Sequence, residues 1–298
     1  MRDGDVQERR RHSIAVGPLV TPHWLAARLG DPRTVIADVR WYLQGKRGID
    51  EYRAGHLPGA HFLDVDGDLS SSPSPARPGR HPLPSPGAFA AVLSRIGVRE
   101  DSIVVAYDDA GGAQAARLWW LLRYFGHDVG RVLDGGIQAW RESGGSLDTA
   151  APVTAAAAPL ALAPHPEMVV DKARVRALSE HGEGLLLDAR AAERYEGKVE
   201  PIDARPGHIP GAKSAPFAAN LTRPSGPFRP PDELVRHYAA LGAGAKTPIV
   251  AYCGSGVTAC HDLLALTVAG HAQALLYEGS WGDWAGDPTL PAARGPGA

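Results

Sequence analysis

A cysteine stands at the end of an apolar run in the segment TPIVAYCGSGVT. The residues before Cys253 have the β-branched and aromatic character of a buried strand, and Gly254 and Gly256 follow it. Glycines permit a curled loop whose successive N–H groups point at one anion, and a helix beginning near Val257 and Thr258 adds the positive end of its dipole. Both effects lower the pKa of a thiol from its free value of about 8.5. The pattern therefore predicts a nucleophilic thiolate at Cys253.

Other chemistries fit this cysteine less well. Metal binding needs a cluster of ligands, and Cys253 and Cys260 lie seven residues apart with no histidine at ligand spacing. A C-x-x-C redox pair is absent. A cysteine phosphatase carries an arginine six residues after its cysteine, where this chain has Ala259. We expect Cys260 to be a buried small side chain, and a redox switch that pairs it with Cys253 is the alternative.

Short apolar runs alternate with helical patterns along the chain. The predicted strands are TVIADV, SIVVAY, GLLLDA and PIVAY, and the predicted helices include AFAAVLSRIG, ARLWWLLRYFG and DELVRHYAALG. This alternation predicts an α/β fold with mostly parallel sheets covered by helices on both faces. In such sheets ligands bind beyond the carboxyl ends of the strands, which is where Cys253 stands.

The sequence repeats itself once. GH(L/I)PGA occurs near residues 55 and 207, IVVAYDDAGG matches IVAYCGSGVT, and RVLDGGIQAW matches ALLYEGSWGDW, in the same order. The repeat predicts two tandem copies of one domain, at 18–145 and 166–298, joined by an Ala/Pro-rich linker over 146–165 and preceded by a disordered tail over 1–17. Asp108 occupies the position of Cys253 in the first copy, so we expect the N-terminal domain to be catalytically silent.

Composition excludes several classes of protein. The 298 residues carry a formal charge of −2, which gives no reason to expect a nucleic acid or a membrane surface as partner. No stretch approaches the roughly 20 apolar residues of a membrane span, and the N-terminus lacks the apolar core of a secretory signal. Two cysteines cannot form a disulfide framework, so we expect a cytoplasmic protein.

Over roughly residues 18–290 the chain resembles the two-domain rhodanese-type sulfurtransferases. The resemblance rests on YRAGHLPGAHFL, ALLYEGSWGDW and the cysteine loop. It implies that Cys253 takes a sulfur atom from a donor, holds it as a persulfide and passes it to an acceptor. CGSGVT resembles the 3-mercaptopyruvate branch, because the thiosulfate branch usually carries basic residues where Gly254 and Ser255 stand.

The same resemblance implies the other site residues. Ser255, His81 and Asp66 match a Ser-His-Asp arrangement that would move the donor's thiol proton. His81 and Asp66 fall in the predicted N-terminal domain, so the site would lie between the domains. Arg194 matches a substrate-binding arginine, and the second such arginine of the branch falls on Asp203, so Arg205 is the candidate to replace it.

We therefore expect a sulfurtransferase acting on 3-mercaptopyruvate, with a thiol or cyanide as acceptor. No metal or organic cofactor is implied, and a thioredoxin-like reductant is an expected acceptor by family analogy. The alternatives are a thiosulfate-preferring rhodanese and a non-catalytic sulfur-carrier or regulatory module.

Overall fold

In a computed structural model of the chain, residues 17–74 and 79–297 are described. The predicted N-terminal tail lies outside the described residues except for Gly17. The chain forms two compact units. The N-terminal unit contains the described residues up to Asp68, Ser85–Pro164 and Ser225–Pro227, and the C-terminal unit contains Leu69–Pro84, His165–Pro224 and the described residues from Phe228 onward.

The N-terminal unit is built on a five-stranded sheet in the order β1-β5-β4-β2-β3, and its paired strands are parallel. Its strands are β1 (Leu19–Val20), β2 (Thr34–Asp38), β3 (Ala60–Phe62), β4 (Ile103–Tyr107) and β5 (Gly130–Leu133). Its helices are α1 (Pro22–Ala26), α2 (Gly48–Ala54), α3 (Pro86–Arg95), α4 (Ala115–Tyr124) and α5 (Gly136–Glu142). Nearly every residue of β2 and β4 is buried, as expected when helices cover both faces of a parallel sheet.

The C-terminal unit repeats this plan with four parallel strands in the order β7-β6-β8-β9. Its strands are β6 (Leu185–Asp188), β7 (Lys213–Ser214), β8 (Ile249–Tyr252) and β9 (Leu275–Leu276). Its helices are α6 (Lys172–His181), α7 (Ala192–Tyr195), α8 (Pro231–Ala240), α9 (Ala259–Val268) and α10 (Ser280–Gly286), with 3-10 turns at Pro166–Met168 and Phe217–Asn220. The α/β class and the two copies of one domain plan predicted from the sequence are confirmed.

Local sequence explains where the helices begin and end. Ser85 caps α3 by accepting a hydrogen bond from the Ala88 N–H, and Pro86 occupies the first helical turn, where its missing N–H costs nothing. Asp171 caps α6 through the Arg174 N–H, and Gly182 ends that helix in the left-handed conformation that glycine adopts without strain. The predicted helical patterns therefore coincide with α3, α4 and α8, and the predicted strands with β2, β4, β6 and β8.

Each unit contains segments that are not contiguous in sequence. Residues 69–74 and 79–84 lie inside the first repeat in sequence, but they pack within the C-terminal unit, where the Leu83 N–H donates to Glu278 Oε2 at 3.2 Å. The Ala/Pro-rich linker packs with the N-terminal unit, because the Ala157 N–H bonds to the Ser94 carbonyl. Neither segment has a hydrophobic period, so its position depends on contacts between residues far apart in sequence.

The repeated GH(L/I)PGA motifs have the same structural role in both units. His56 and His208 each hydrogen-bond through Nδ1 to a tyrosine carbonyl in the preceding helix and stack on the ring of that tyrosine, Tyr52 or Tyr195. Both histidines therefore have a structural role, since each joins its loop to the preceding helix. No helix in the described part of the chain is long and apolar enough to cross a membrane.

Candidate active site

Cys253 lies at the carboxyl end of β8, in a loop that aims its N–H groups at the sulfur. The carbonyl oxygens of Cys253 and Gly254 accept hydrogen bonds from the Trp281 and Gly282 N–H groups at the start of α10. The loop is thereby turned so that the N–H groups of Ser255 and Gly256 point inward and lie 3.4 and 3.1 Å from Cys253 Sγ. The predicted anion cradle is present, and the thiol at its centre is almost completely buried.

This environment changes the acidity of the thiol. Burial raises the pKa of Cys253, because it removes water from the charged form. Hydrogen bonds from the Thr258 side chain and from the backbone of Ser255, Ala259 and Gly256 act in the opposite direction, and the net pKa is lowered below its ordinary value. The amino end of α9 begins at Ala259 and adds its partial positive charge. The site therefore favours a thiolate at Cys253.

Gly256 is required by the geometry of this loop. Its φ of +81° is in the left-handed region, and a Cβ added there would lie 2.6 Å from the Glu278 carbonyl oxygen. Val257, which follows it, is buried. A side chain at position 256 would therefore move the N–H that contacts the sulfur.

Ser255 and His81 form a buried pair beside the cysteine. His81 Nδ1 lies 2.7 Å from Ser255 Oγ, and the Ser255 N–H is itself part of the cradle. His81 belongs to the segment 69–84, so the structure brings these two predicted residues together within one unit. The hydroxyl can donate to the imidazole when Nδ1 is unprotonated, which is the arrangement that a serine–histidine proton relay needs.

Asp66, the third member of the predicted Ser-His-Asp arrangement, belongs to the N-terminal unit. There its Oδ2 accepts a hydrogen bond from Trp41 Nε1 at 2.8 Å, and its backbone N–H bonds to Asp64 Oδ1 at 2.7 Å. Its role in orienting His81 stays a prediction.

A cluster of arginines and carboxylates surrounds Gly254. Arg194 Nη2 donates to Glu200 Oε1 at 2.7 Å and to Asp203 Oδ2 at 2.9 Å, and Arg80 Nη1 pairs with Asp203 Oδ1. A Cβ on Gly254 would lie 2.6 Å from Arg80 Nη2 and 3.5 Å from Arg194 Nη1. Two guanidinium groups therefore lie over the face of the glycine that follows Cys253, and one of them belongs to Arg194, for which the family resemblance implies substrate binding.

Arg205 has a different environment. Its guanidinium donates to the carbonyls of Trp284, Ala285, Asp287 and Leu290, at distances from 2.8 to 3.2 Å. These bonds satisfy the carboxyl end of α10, where helices leave carbonyls without partners. The Arg205 guanidinium is thus bound to backbone carbonyls, and its predicted role in substrate binding stays a prediction. Arg190, which follows β6, makes a buried ion pair with Asp188 at 2.6 Å.

The N-terminal counterpart of the loop is filled by its own side chain. The Asp108 carboxylate is completely buried and accepts hydrogen bonds of 2.8 to 2.9 Å from the N–H groups of Ala110, Gly112, Gln114 and Ala115. The repeat unit therefore builds an anion cradle in both copies. In the first copy a carboxylate occupies it, and in the second the cradle holds the sulfur of Cys253.

The rhodanese-like domain family matches residues 21–143 and 171–287. The chain belongs to the rhodanese-like family. The first rhodanese-like region includes the loop of Asp108 and the second includes the loop of Cys253.

Relatives match this rhodanese-like chain over nearly its whole length. A probable 3-mercaptopyruvate sulfurtransferase of Pseudomonas aeruginosa is 44% identical over 280 residues, covering 93% of this chain and 98% of the relative. A putative thiosulfate sulfurtransferase, SseB of Mycobacterium tuberculosis, is 40% identical over 281 residues, covering 93% and 97%. The crystal structure of SseA from Escherichia coli, a 3-mercaptopyruvate sulfotransferase, superposes with a TM-score of 0.79 at 34% identity and covers 89% of this chain and 99% of its own.

Sequence reasoning missed Arg80 and the carboxylates that hold the arginines. Arg80 directly precedes the predicted His81, so its position in the sequence was a usable signal. Glu200 and Asp203 carried no comparable signal, because acidic residues in a polar loop are usually solvated. Here both side chains are only 3% exposed.

Proposed function

We propose that this sulfurtransferase moves sulfur from 3-mercaptopyruvate through a persulfide on Cys253 to a thiol or cyanide acceptor. The observation that carries the proposal is the cysteine in its backbone cradle with the Ser255–His81 pair beside it. The cradle stabilises a thiolate, and the pair lies where the proton of an incoming thiol can be removed.

In the first step the Cys253 thiolate attacks the sulfur of the donor. A sulfur–sulfur bond forms as the carbon–sulfur bond of mercaptopyruvate breaks, and the bonding electrons leave on the methylene carbon as the enolate of pyruvate. The Ser255 hydroxyl, with His81 as base, accepts the proton of the donor thiol, and a proton returns to the methylene carbon to give pyruvate.

In the second step an acceptor thiolate or cyanide attacks the outer sulfur of the persulfide. The Cys253 thiolate leaves, and its lowered pKa makes it a good leaving group. The N–H groups of Ser255 and Gly256 that hold the resting thiolate can also hold the anionic persulfide. A thioredoxin-like protein in a reducing cytoplasm is the proposed physiological acceptor. The thiolate and persulfide carry out both steps, so the proposal needs no further cofactor.

Thiosulfate is the second candidate donor, and the arginines beside Gly254 favour it. Arg80 and Arg194 supply two cations although residues 254 and 255 are uncharged. Glu200 and Asp203 offset these charges. Because these carboxylates partly neutralise the two arginines, the site suits the single carboxylate of mercaptopyruvate better than the dianion thiosulfate. Mercaptopyruvate is therefore the preferred candidate donor. The N-terminal unit is proposed to be silent, because Asp108 has no thiol and fills its own cradle.

The test is mass spectrometry of the protein after incubation with each donor. We expect Cys253 to gain one sulfur atom, and C253S to gain none and to lose sulfur transfer. Comparison of kcat/KM for mercaptopyruvate and thiosulfate then identifies the preferred donor. A wild-type protein that forms no persulfide with either donor would instead support a non-catalytic sulfur-carrier or regulatory module.

A further inference from the structure

Two arginines of the C-terminal unit have unused hydrogen-bond donors beside the nucleophile. Arg194 uses Nη2 for its carboxylate partners, and its Nε is buried without a hydrogen-bond partner in the described part of the chain. Among the hydrogen bonds of the described residues, Arg80 donates through Nη1 alone, to Asp203. Arg80 Nη2 and Arg194 Nη1 point toward Gly254. A buried guanidinium N–H without a hydrogen-bond acceptor costs free energy, and a bound ligand that accepts this hydrogen bond removes the cost.

Asp203 determines where Arg80 lies. The side chain of Asp203 is only 3% exposed, and it stands where the family resemblance leads us to expect an arginine. Its two carboxylate oxygens bind different arginines, Arg80 through Oδ1 and Arg194 through Oδ2. The carboxylate therefore holds the two guanidinium groups at a fixed separation, since each is bonded to one of its oxygens.

Gly254 leaves the space into which Arg80 reaches. A Cβ at this position would be 2.6 Å from Arg80 Nη2, which is closer than such atoms approach. Arg80 thus brings a cation to the space into which a side chain on residue 254 would project. Residues 254 and 255 are an uncharged Gly-Ser pair, and the positive charge beside them comes from Arg80, which belongs to a different segment of the same unit.

We propose that Arg80, held by Asp203, binds the donor's carboxylate together with Arg194 over Gly254. The inference rests on the proposed function, since it names the groups that orient the donor of that reaction. An arginine from residues 69–84 thus takes over the task of the missing arginine at position 203. With the carboxylate held between Arg80 Nη2 and Arg194 Nη1, binding energy at the end of the donor remote from its sulfur orients that sulfur toward Cys253.

Alkylation of Cys253 tests the anion site without requiring sulfur transfer. The rates with iodoacetate, an anion, and iodoacetamide, its neutral counterpart, are measured by peptide mass spectrometry for wild type, R80A, R80K and R176A. We expect R80A to lower the iodoacetate-to-iodoacetamide rate ratio about 10-fold or more, as for a lost charge-assisted hydrogen bond, and R80K to fall between. R176A, an exposed arginine paired with Glu180 on α6, is the matched control and leaves the ratio unchanged.

Steady-state kinetics give the second readout. R80A is expected to raise the KM for mercaptopyruvate about 10-fold or more, and to leave the KM for mercaptoacetone, which has the ketone and thiol but no carboxylate, unchanged. If R80A lowered the alkylation rates with iodoacetate and iodoacetamide equally, or raised the KM values for mercaptopyruvate and mercaptoacetone equally, Arg80 would have a structural role. Either result would overturn the inference. Persulfide formation in wild type with an unchanged ratio and KM in R80A would also overturn it. A ratio that falls in R80A when wild type forms no persulfide keeps the anion site and rejects the proposed function.

Discussion

Replacing Gly256 by alanine tests whether the backbone cradle makes Cys253 reactive. The Gly256 N–H lies 3.1 Å from Cys253 Sγ, and the residue has a φ of +81°. An alanine there has its Cβ 2.6 Å from the Glu278 carbonyl oxygen, which is backbone and cannot rotate away. The loop must therefore shift, and the N–H that it carries moves away from the sulfur.

The magnitude follows from two contributions. A left-handed conformation costs an alanine about 1–2 kcal/mol, and a lost hydrogen bond to a charged group about 1.5–3 kcal/mol. The second contribution acts on the thiolate alone, so it shifts the thiol–thiolate equilibrium about 10-fold or more toward the thiol. Because the folded pKa of Cys253 is lowered, the thiolate contributes stability above the pKa of the unfolded thiol, and this contribution is lost as pH falls through the folded pKa.

The assay is the rate of Cys253 alkylation by iodoacetamide as a function of pH, with thermal unfolding measured on the same samples. G256A should move the alkylation midpoint to higher pH, and its loss of melting temperature should be larger at alkaline than at acidic pH. Gly270 is the matched control, because it has a φ of +94° and open space where a Cβ would lie. G270A should lose about 1–2 kcal/mol at every pH and keep the wild-type alkylation midpoint.

An unchanged alkylation midpoint in G256A would refute the reasoning, provided that the variant melts cooperatively. It would mean that the N–H of Gly256 contributes nothing to the thiolate.

Three further predictions concern the other groups around the two cradles. S255A should lower kcat about 10-fold or more with mercaptopyruvate but less with thiosulfate, which has no thiol proton to move, and equal losses in kcat would reject the relay. R194A should raise the KM for mercaptopyruvate more than that for thiosulfate, and an equal loss in kcat/KM would contradict its role as a carboxylate ligand. D108N should lower stability in thermal unfolding by about 1–3 kcal/mol, because an amide N–H₂ would face backbone donors that now bind a carboxylate, while kcat stays within about twofold of wild type.

Much of the fold could be predicted because its signals are local. The apolar β-branched runs that became β2, β4, β6 and β8 are short and alternate with helical patterns, which favours buried strands, and the start of α3 is marked in the sequence by Ser85 and Pro86. Two glycines, a strand before the cysteine and a helix after it similarly sufficed to predict the cradle. The residues that make up each unit were harder to predict. Residues 69–74 and 79–84 have no hydrophobic periodicity, and they join the C-terminal unit through contacts with residues far away in sequence, such as that of Leu83 with Glu278.

The pairing of Ser255 with His81 was expected only from the resemblance to a known family. By itself the sequence determined the duplicated α/β plan and the position of Cys253 in a loop with two glycines, between a strand and a helix. These depend on residue type and order within short segments. Only the tertiary structure decided how charge is arranged around the sulfur. In the folded chain Arg205 binds carbonyls at the end of α10, and Arg80 pairs with Asp203 beside Gly254. The carboxylate of Asp108 occupies the cradle of the first copy. A guanidinium reaches several ångströms from its backbone and can pair with any carboxylate within that reach, so its partner depends on which distant segments the fold brings together.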